Sequence, residues 1–188
     1  MDTLTIYGFA PSTYTRTARM AALEKGAAHE LQPIAYGEPE HFKLHPFGKM
    51  PIMRHGDVTL FETLAITAYI DKTFGAPSLF APDPIGRARI LSAISVAIDY
   101  AYRPVVHGSD AELAAKVLDI WNSRLAETPM IAGEVLSAAD LFCAPMIAYH
   151  AAENGDEALY TNRPHLKAWM DIIATRPSFK ETEVQQNG

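Results

Sequence analysis

Glu62 and Thr63 stand where an extended run gives way to a helical one. Upstream, Pro51-Ile52-Met53 is a short apolar strand, Arg54-His55-Gly56-Asp57 a polar turn and Val58-Thr59-Leu60 a second strand. Downstream, Leu64, Ile66 and Ile70 keep a helical rhythm. The N-terminus of such a helix offers free N–H groups and positive potential to a carboxylate. The carboxylate of Glu62 offers a partner to an ammonium. A strand–turn–strand–helix of this kind suits a small zwitterion that carries both charges on one carbon.

Residues 45–63, running His-Pro-Phe-Gly-Lys-Met-Pro to Glu-Thr, resemble the glutathione transferase family, in which N-P-F-G-x-x-P leads to E-S at the start of the third helix. The γ-glutamyl end of glutathione carries that pair of charges. The resemblance implies a cis bond before Pro51. It also implies that Met50 pairs its N–H and C=O with the cysteinyl backbone of glutathione, as an added strand would. The implied glutathione-binding set is Lys49, Met50, Pro51, Glu62 and Thr63. Read without the family, the stretch is an ordinary hairpin with a turn proline. Two further stretches extend the resemblance over nearly the whole chain. Gly133-x-x-x-Ser137-x-x-Asp140-Leu141 is similar to the capping motif of the family's helical domain, and Arg163 to Trp169 followed by Arg176-Pro-Ser-Phe179 is similar to its C-terminal signature. Ser137 and Asp140 read as structural, satisfying free N–H groups at a helix start.

Such an enzyme must supply glutathione as thiolate. A free thiol has a pKa of ~8.5, and each unit of lowering needs about 1.4 kcal/mol of preference for the anion. A hydroxyl aimed at the sulfur beside a helix N-terminus contributes to that preference. Ser12 stands after the first strand and just before the first helical pattern, and residues 12–26 look like the serine-type classes, phi, theta and zeta, in a bacterial-style member. The resemblance puts the catalytic hydroxyl on Ser12. Its alternatives are a plain N-cap role for Ser12, or Tyr7 as the thiolate partner, with Thr13 and Tyr14 as weaker rivals. A cysteine at position 12 would mean thiol–disulfide chemistry; serine there argues against a glutaredoxin-like or omega-type reductase.

The chain departs from the family pattern in places. Lys49 stands where many members have glutamine, and reads either as a contact for the glycyl carboxylate or as a solvated loop lysine. Thr63 replaces serine and keeps the hydroxyl. The His-Lys pair of phi-like members is missing, its region being Tyr36-Gly37, which points to weak glutathione affinity. The helical part is short, which implies a more open electrophile site. Phe9, Tyr100, Arg103 and His107 are the candidates to line that site. The last three share one face of an α-helix at i, i+3 and i+7, and a dimer-facing or solvated face is the other reading.

Residues 3–8, 29–36 and the 51–60 hairpin read as strands, 13–25, 39–45 and 63–74 as helical. That β-α-β-α-β-β-α order suits a thioredoxin-like α/β domain, placed at 1–76. Residues 75–84 hold three prolines and read as a linker. An all-helical domain is expected over 85–188, with Pro104 kinking or ending a helix, Asp110 capping the next, and a loose polar tail after Phe179. The 188 residues carry a net charge of −6, which argues against nucleic acid as a partner. No apolar run reaches the ~20 residues of a membrane span, and the start Met1-Asp2 lacks a basic-then-apolar leader. The single cysteine, Cys143, lies in an apolar helical run and reads as a buried thiol. His41 and His45 stand four apart without acidic or cysteine ligands beside them, so no metal site is expected. These points suggest a cytoplasmic protein without a cofactor, using glutathione as co-substrate, and the resemblance implies a homodimer. The leading expectation is conjugation of the glutathione thiolate to small apolar electrophiles. A zeta-like glutathione-dependent isomerase and a non-catalytic binding or regulatory protein are the alternatives.

Overall fold

A computed structural model describes residues 2–183. The chain forms two units, one of residues 1–78 with 177–188, the other of residues 79–176.

In the first unit, β1 (Leu4–Tyr7), α1 (Thr13–Glu24), β2 (His29–Gln32), α2 (Pro39–Leu44), β3 (Ile52–His55), β4 (Val58–Phe61) and α3 (Thr63–Thr73) follow the expected order. The sheet runs β2-β1-β3-β4, with β1 parallel to β2 and the other pairs antiparallel. β2 stops four residues short of the expected end, at Pro33, whose ring removes the next ladder donor. Alternation puts Leu4 and Ile6 on the covered face of β1, and Thr5 and Tyr7 on the other. Met20, Ala21, Ile52, Met53, Ile66 and Ile70 complete a fully buried core. At the exit of β1 a side chain at Gly8 would run into Thr15, so glycine is what lets the strand end approach α1. The Lys25 ammonium, buried at the end of α1, donates to Asp71 Oδ1 of α3 at 3.2 Å and to the Pro77 carbonyl at 2.6 Å. The bonds before Pro51 and Pro77 are both cis.

The linker is more structured than its prolines suggest. Leu79 and Phe80 are buried in the second unit, and the Ala138 N–H donates to the Leu79 carbonyl. That unit comprises α4 (Pro84–Val96), a π-helix (Ala97–Val106), α5 (Ala111–Leu125), α6 (Ala138–Asn154), α7 (Asp156–Tyr160) and α8 (Pro164–Ala174). Residues 138–147 of α6 are buried on every side, which is why that stretch is apolar without a polar face. Cys143 lies among them, fully buried, and burial pushes its thiol well up. Asp140 caps α6 from its third position and accepts from the Ser137 N–H (2.8 Å) and hydroxyl (3.0 Å), the Ile131 N–H (2.9 Å) and Trp169 Nε1 (3.0 Å). Pro104 does not end its helix. The chain there winds with i→i+5 bonds, a register that carries the proline inside the π-helix. His150 Nδ1 reaches the Val105 carbonyl at 2.9 Å.

The expected loose tail is corrected over its first residues. Pro177–Thr182 form α9, which packs on α1 and returns the chain to the first unit. Phe179 and Thr182 are buried, the Arg16 guanidinium stands 4.6 Å above the Phe179 ring, and the Ser178 hydroxyl donates to Glu24. The polar look of this stretch hid two small hydroxyl residues, Ser178 and Thr182, that are buried. Residues 184–188 lie outside the described residues.

Candidate functional site

The register of the sheet brings the candidate residues together. Tyr7 is opposite Ile52, and Ile52 is opposite Phe61. The segments that follow Tyr7, precede Ile52 and follow Phe61 therefore leave from one end of the sheet. Those segments carry Ser12, then Lys49, Met50 and Pro51, then Glu62 and Thr63.

Ser12 is the N-cap of α1, and its Oγ accepts from the Thr15 N–H at 3.3 Å. A hydroxyl has one hydrogen and two lone pairs. Among the described residues the Ser12 hydrogen has no acceptor, so it is available to a ligand. Thr13 is buried. Tyr7 is half-buried on the open face of β1.

Met50 makes no backbone hydrogen bond among the described residues, so its N–H and C=O are free for an extended peptide. The Lys49 side chain is exposed. Its carbonyl is held by His41 Nε2 at 2.9 Å, while His41 Nδ1 accepts from the Gly37 N–H at 3.1 Å.

Glu62 is the N-cap of α3 and has φ of 69°, ψ of 117°, the one positive φ outside glycine among the described residues. Such a backbone costs of order 1–3 kcal/mol and persists where the surroundings or a function hold it. Its carboxylate is exposed and 3.9 Å from His45 Nε2. Thr63 is buried in the first turn of α3. Neither α1 nor α3 has an acidic residue in its first turn, so the α1 end keeps its positive potential, while at α3 the Glu62 carboxylate stands at the N-cap itself.

A groove of about 430 Å³ lined by Gly8, Phe9, Ala10, Pro11, Leu31 and Pro33 opens next to Ser12 in sequence. Phe9 is 42% exposed and its ring is 6.0 Å from that of Tyr36. Tyr100, Arg103 and His107 belong to the other unit. All three are exposed, and His107 meets Tyr102 edge to face at 5.0 Å. The i→i+5 winding turns less per residue than an α-helix, so the single α-helical stripe expected for these three does not hold as counted. A wider depression on α5, lined by Glu112, Lys116, Asp119 and Ile120, brings none of the candidate residues together.

Comparison with known proteins gives this geometry a family. Residues 6–78 match the model of the glutathione S-transferase N-terminal domain, and residues 96–177 that of the C-terminal domain. The chain belongs to the glutathione S-transferase family. Among similar proteins, glutathione S-transferase F7 of Arabidopsis thaliana is 32% identical over 96% of this chain and 99% of its own length. Glutathione S-transferase 3 of Zea mays is 29% identical over 97% and 94%. The crystal structure of poplar glutathione transferase F1 superposes with a TM-score of 0.85, at 30% identity and 97% coverage of both chains. A glutathione S-transferase-I bound with lactoylglutathione does so with a TM-score of 0.85, at 26% identity, covering 96% of this chain and 98% of its own. These relatives are plant proteins where their source is stated, and their F designations point to the phi class. They carry no sign of the bacterial style read from the sequence, nor of the theta and zeta classes.

Sequence reasoning missed His41 and His45. Dismissed as metal ligands, both are buried, and both hold loops beside the candidate residues through hydrogen bonds. Their i, i+4 spacing just ahead of the Lys49–Pro51 segment was the available signal.

Proposed function

We propose that this protein is a phi-like, serine-type glutathione transferase that adds the glutathione thiolate to small apolar electrophiles. The observation that carries the reading is the pairing of Tyr7 with Ile52 and of Ile52 with Phe61, which sends Ser12, Met50 and Glu62 out from one sheet end beside the N-termini of α1 and α3. In this reading Glu62 takes the ammonium of the γ-glutamyl group, and the Thr63 end of α3 takes its carboxylate. Met50, ahead of the cis Pro51, pairs with the cysteinyl backbone. Lys49 lies near enough in sequence to serve the glycyl carboxylate. Ser12 donates its free hydrogen to the sulfur, and the α1 N-terminus favours the anion.

The electrophile is proposed to lie over Phe9, beside the groove lined by Ala10, Pro11, Leu31 and Pro33. No cofactor enters this chemistry, because the thiolate is the nucleophile and the electrophile supplies the leaving group or acceptor carbon. The working form is proposed to be a homodimer, checked by light scattering at micromolar concentration. Among the described residues no helix is long and apolar enough to cross a membrane.

Retention on glutathione-agarose combined with turnover of chlorodinitrobenzene tests the reading. Ser12→Ala is expected to lower kcat/KM by about 10²-fold, the scale of losing one donor aimed at fixed negative charge. Tyr7→Phe is expected to cost much less. The thiolate absorbance of bound glutathione should titrate at higher pH in Ser12→Ala. The reverse order would move the role to Tyr7, and the absence of both retention and turnover would overturn the reading.

A further inference from the structure

We propose that His45 is a positioning residue for Glu62, and that glutathione and a proton compete across this pair, so that the site lets go of its γ-glutamyl ligand as the pH falls. The proposal rests on the reading of Glu62 as the partner of the ligand's ammonium. His45 follows α2 and its side chain is buried. Its Nδ1 accepts from the Phe47 N–H at 3.3 Å. That bond fixes the neutral tautomer with its hydrogen on Nε2, and Nε2 faces Glu62 Oε1 at 3.9 Å. The ring is held in place by Phe61, 4.6 Å away, and by Phe47 edge-on at 6.3 Å. At 3.9 Å the pair is coupled by charge more than by a hydrogen bond.

The groups that face the imidazole are few. Glu62, at the β4–α3 junction, favours its charged form; His41 of α2 and Lys49 of the following loop disfavour it. Lack of contact with solvent is the largest influence and lowers its pKa from the ordinary 6.5. His45 is accordingly neutral when the site is in use. His41 has both ring nitrogens committed, to the Gly37 N–H and to the Lys49 carbonyl. Protonation of His45 has two consequences. Nδ1 can no longer accept from Phe47. A cation also then stands beside the one carboxylate that the ligand's ammonium needs. Conversely, a bound ammonium at Glu62 opposes the proton on His45. The two effects are one coupling seen from either side and must be equal.

Calorimetry with S-methylglutathione, which has no thiol to titrate, measures the coupling at pH 7.5 and pH 5.5. The wild-type protein is expected to bind up to about two- to fivefold more weakly at the lower pH, the span for a coupling of about half to one pKa unit on an imidazole that titrates below 6.5. His45→Asn is expected to bind with the same affinity at both. The imidazole signal of His45 in the wild-type protein provides the second measurement, independent of whether the variant folds. Its titration midpoint should move down by about half to one unit on saturation with S-methylglutathione. Equal wild-type affinity at the two pH values, or a His45 midpoint unmoved by saturating ligand, overturns the inference and leaves the transferase reading intact. No binding at pH 7.5 overturns both.

Discussion

Glu62 combines a strained backbone with an exposed charge, and the two can be separated by one substitution. Glycine takes a positive φ such as 69° more readily than glutamate but carries no carboxylate. Glu62→Gly is therefore expected to match or exceed the wild type in urea stability while losing roughly tenfold or more in glutathione affinity, the equivalent of a charge-assisted hydrogen bond. Equal affinity in calorimetry would remove Glu62 from the site. Asp140 makes the opposite case: four hydrogen bonds inside the helical unit and no exposure. Asp140→Ala strands the Trp169 and Ile131 donors and is expected to cost at least about 3 kcal/mol in urea unfolding. Both residues were legible in the sequence because each sits at a helix start, where side-chain chemistry is tied to position. The backbone angle of Glu62 was not legible, since glutamate gives no local signal for positive φ. Nor was the part played by His45, whose partner stands 17 residues further on.

The regular helices and strands were legible from period and caps, because burial on one face writes itself into spacing. The π-helix was not. A proline in a helical pattern reads as a break, and only the packing of α4, α5 and α6 around residues 97–106 tells that the chain continues through it. α9 was hidden for the opposite reason: its buried positions include two hydroxyls, that of Thr182 bonded back to the helix's own carbonyls and that of Ser178 donated to Glu24. The Lys25–Asp71 pair belongs to this scale, since it ties the end of α1 to α3 and to the Pro77 carbonyl. Lys25→Met takes the buried cation from Asp71, leaving it the Ser78 hydroxyl and the exposed Lys72 ammonium 3.8 Å away, and is expected to cost about 3 kcal/mol. Lys25→Met with Asp71→Leu is expected to recover most of that loss, because a buried pair replaced whole is often neutral. Urea midpoints of the two single variants and the double variant close the cycle.

For the molecule as a whole, histidine burial sets the response to acid. His29 and His45 both have their pKa lowered, chiefly by burial, from an ordinary value of 6.5. The unfolded chain takes up protons at these positions that the folded chain refuses. Their contribution to stability is complete above pH 6.5, declines as the pH falls through that value, and is gone below their folded pKa values. Asp140 works in the other direction, since burial raises its pKa above 3.8 and the fold gains when that carboxyl is protonated. The urea midpoint is expected to fall between pH 7 and pH 5, and His45→Asn should flatten part of that slope.

The return of α9 to α1 separates the order of synthesis from the order of completion. Residues 1–78 are made first, yet the ring that covers the Arg16 guanidinium is residue 179. At ordinary translation rates the intervening hundred or so residues take roughly 5–20 s to make. Throughout that interval the nascent first unit carries an apolar helix face and a cation whose cover has not yet been synthesised. The helical unit, uninterrupted in the chain, has all of its residues before the older unit has its last helix.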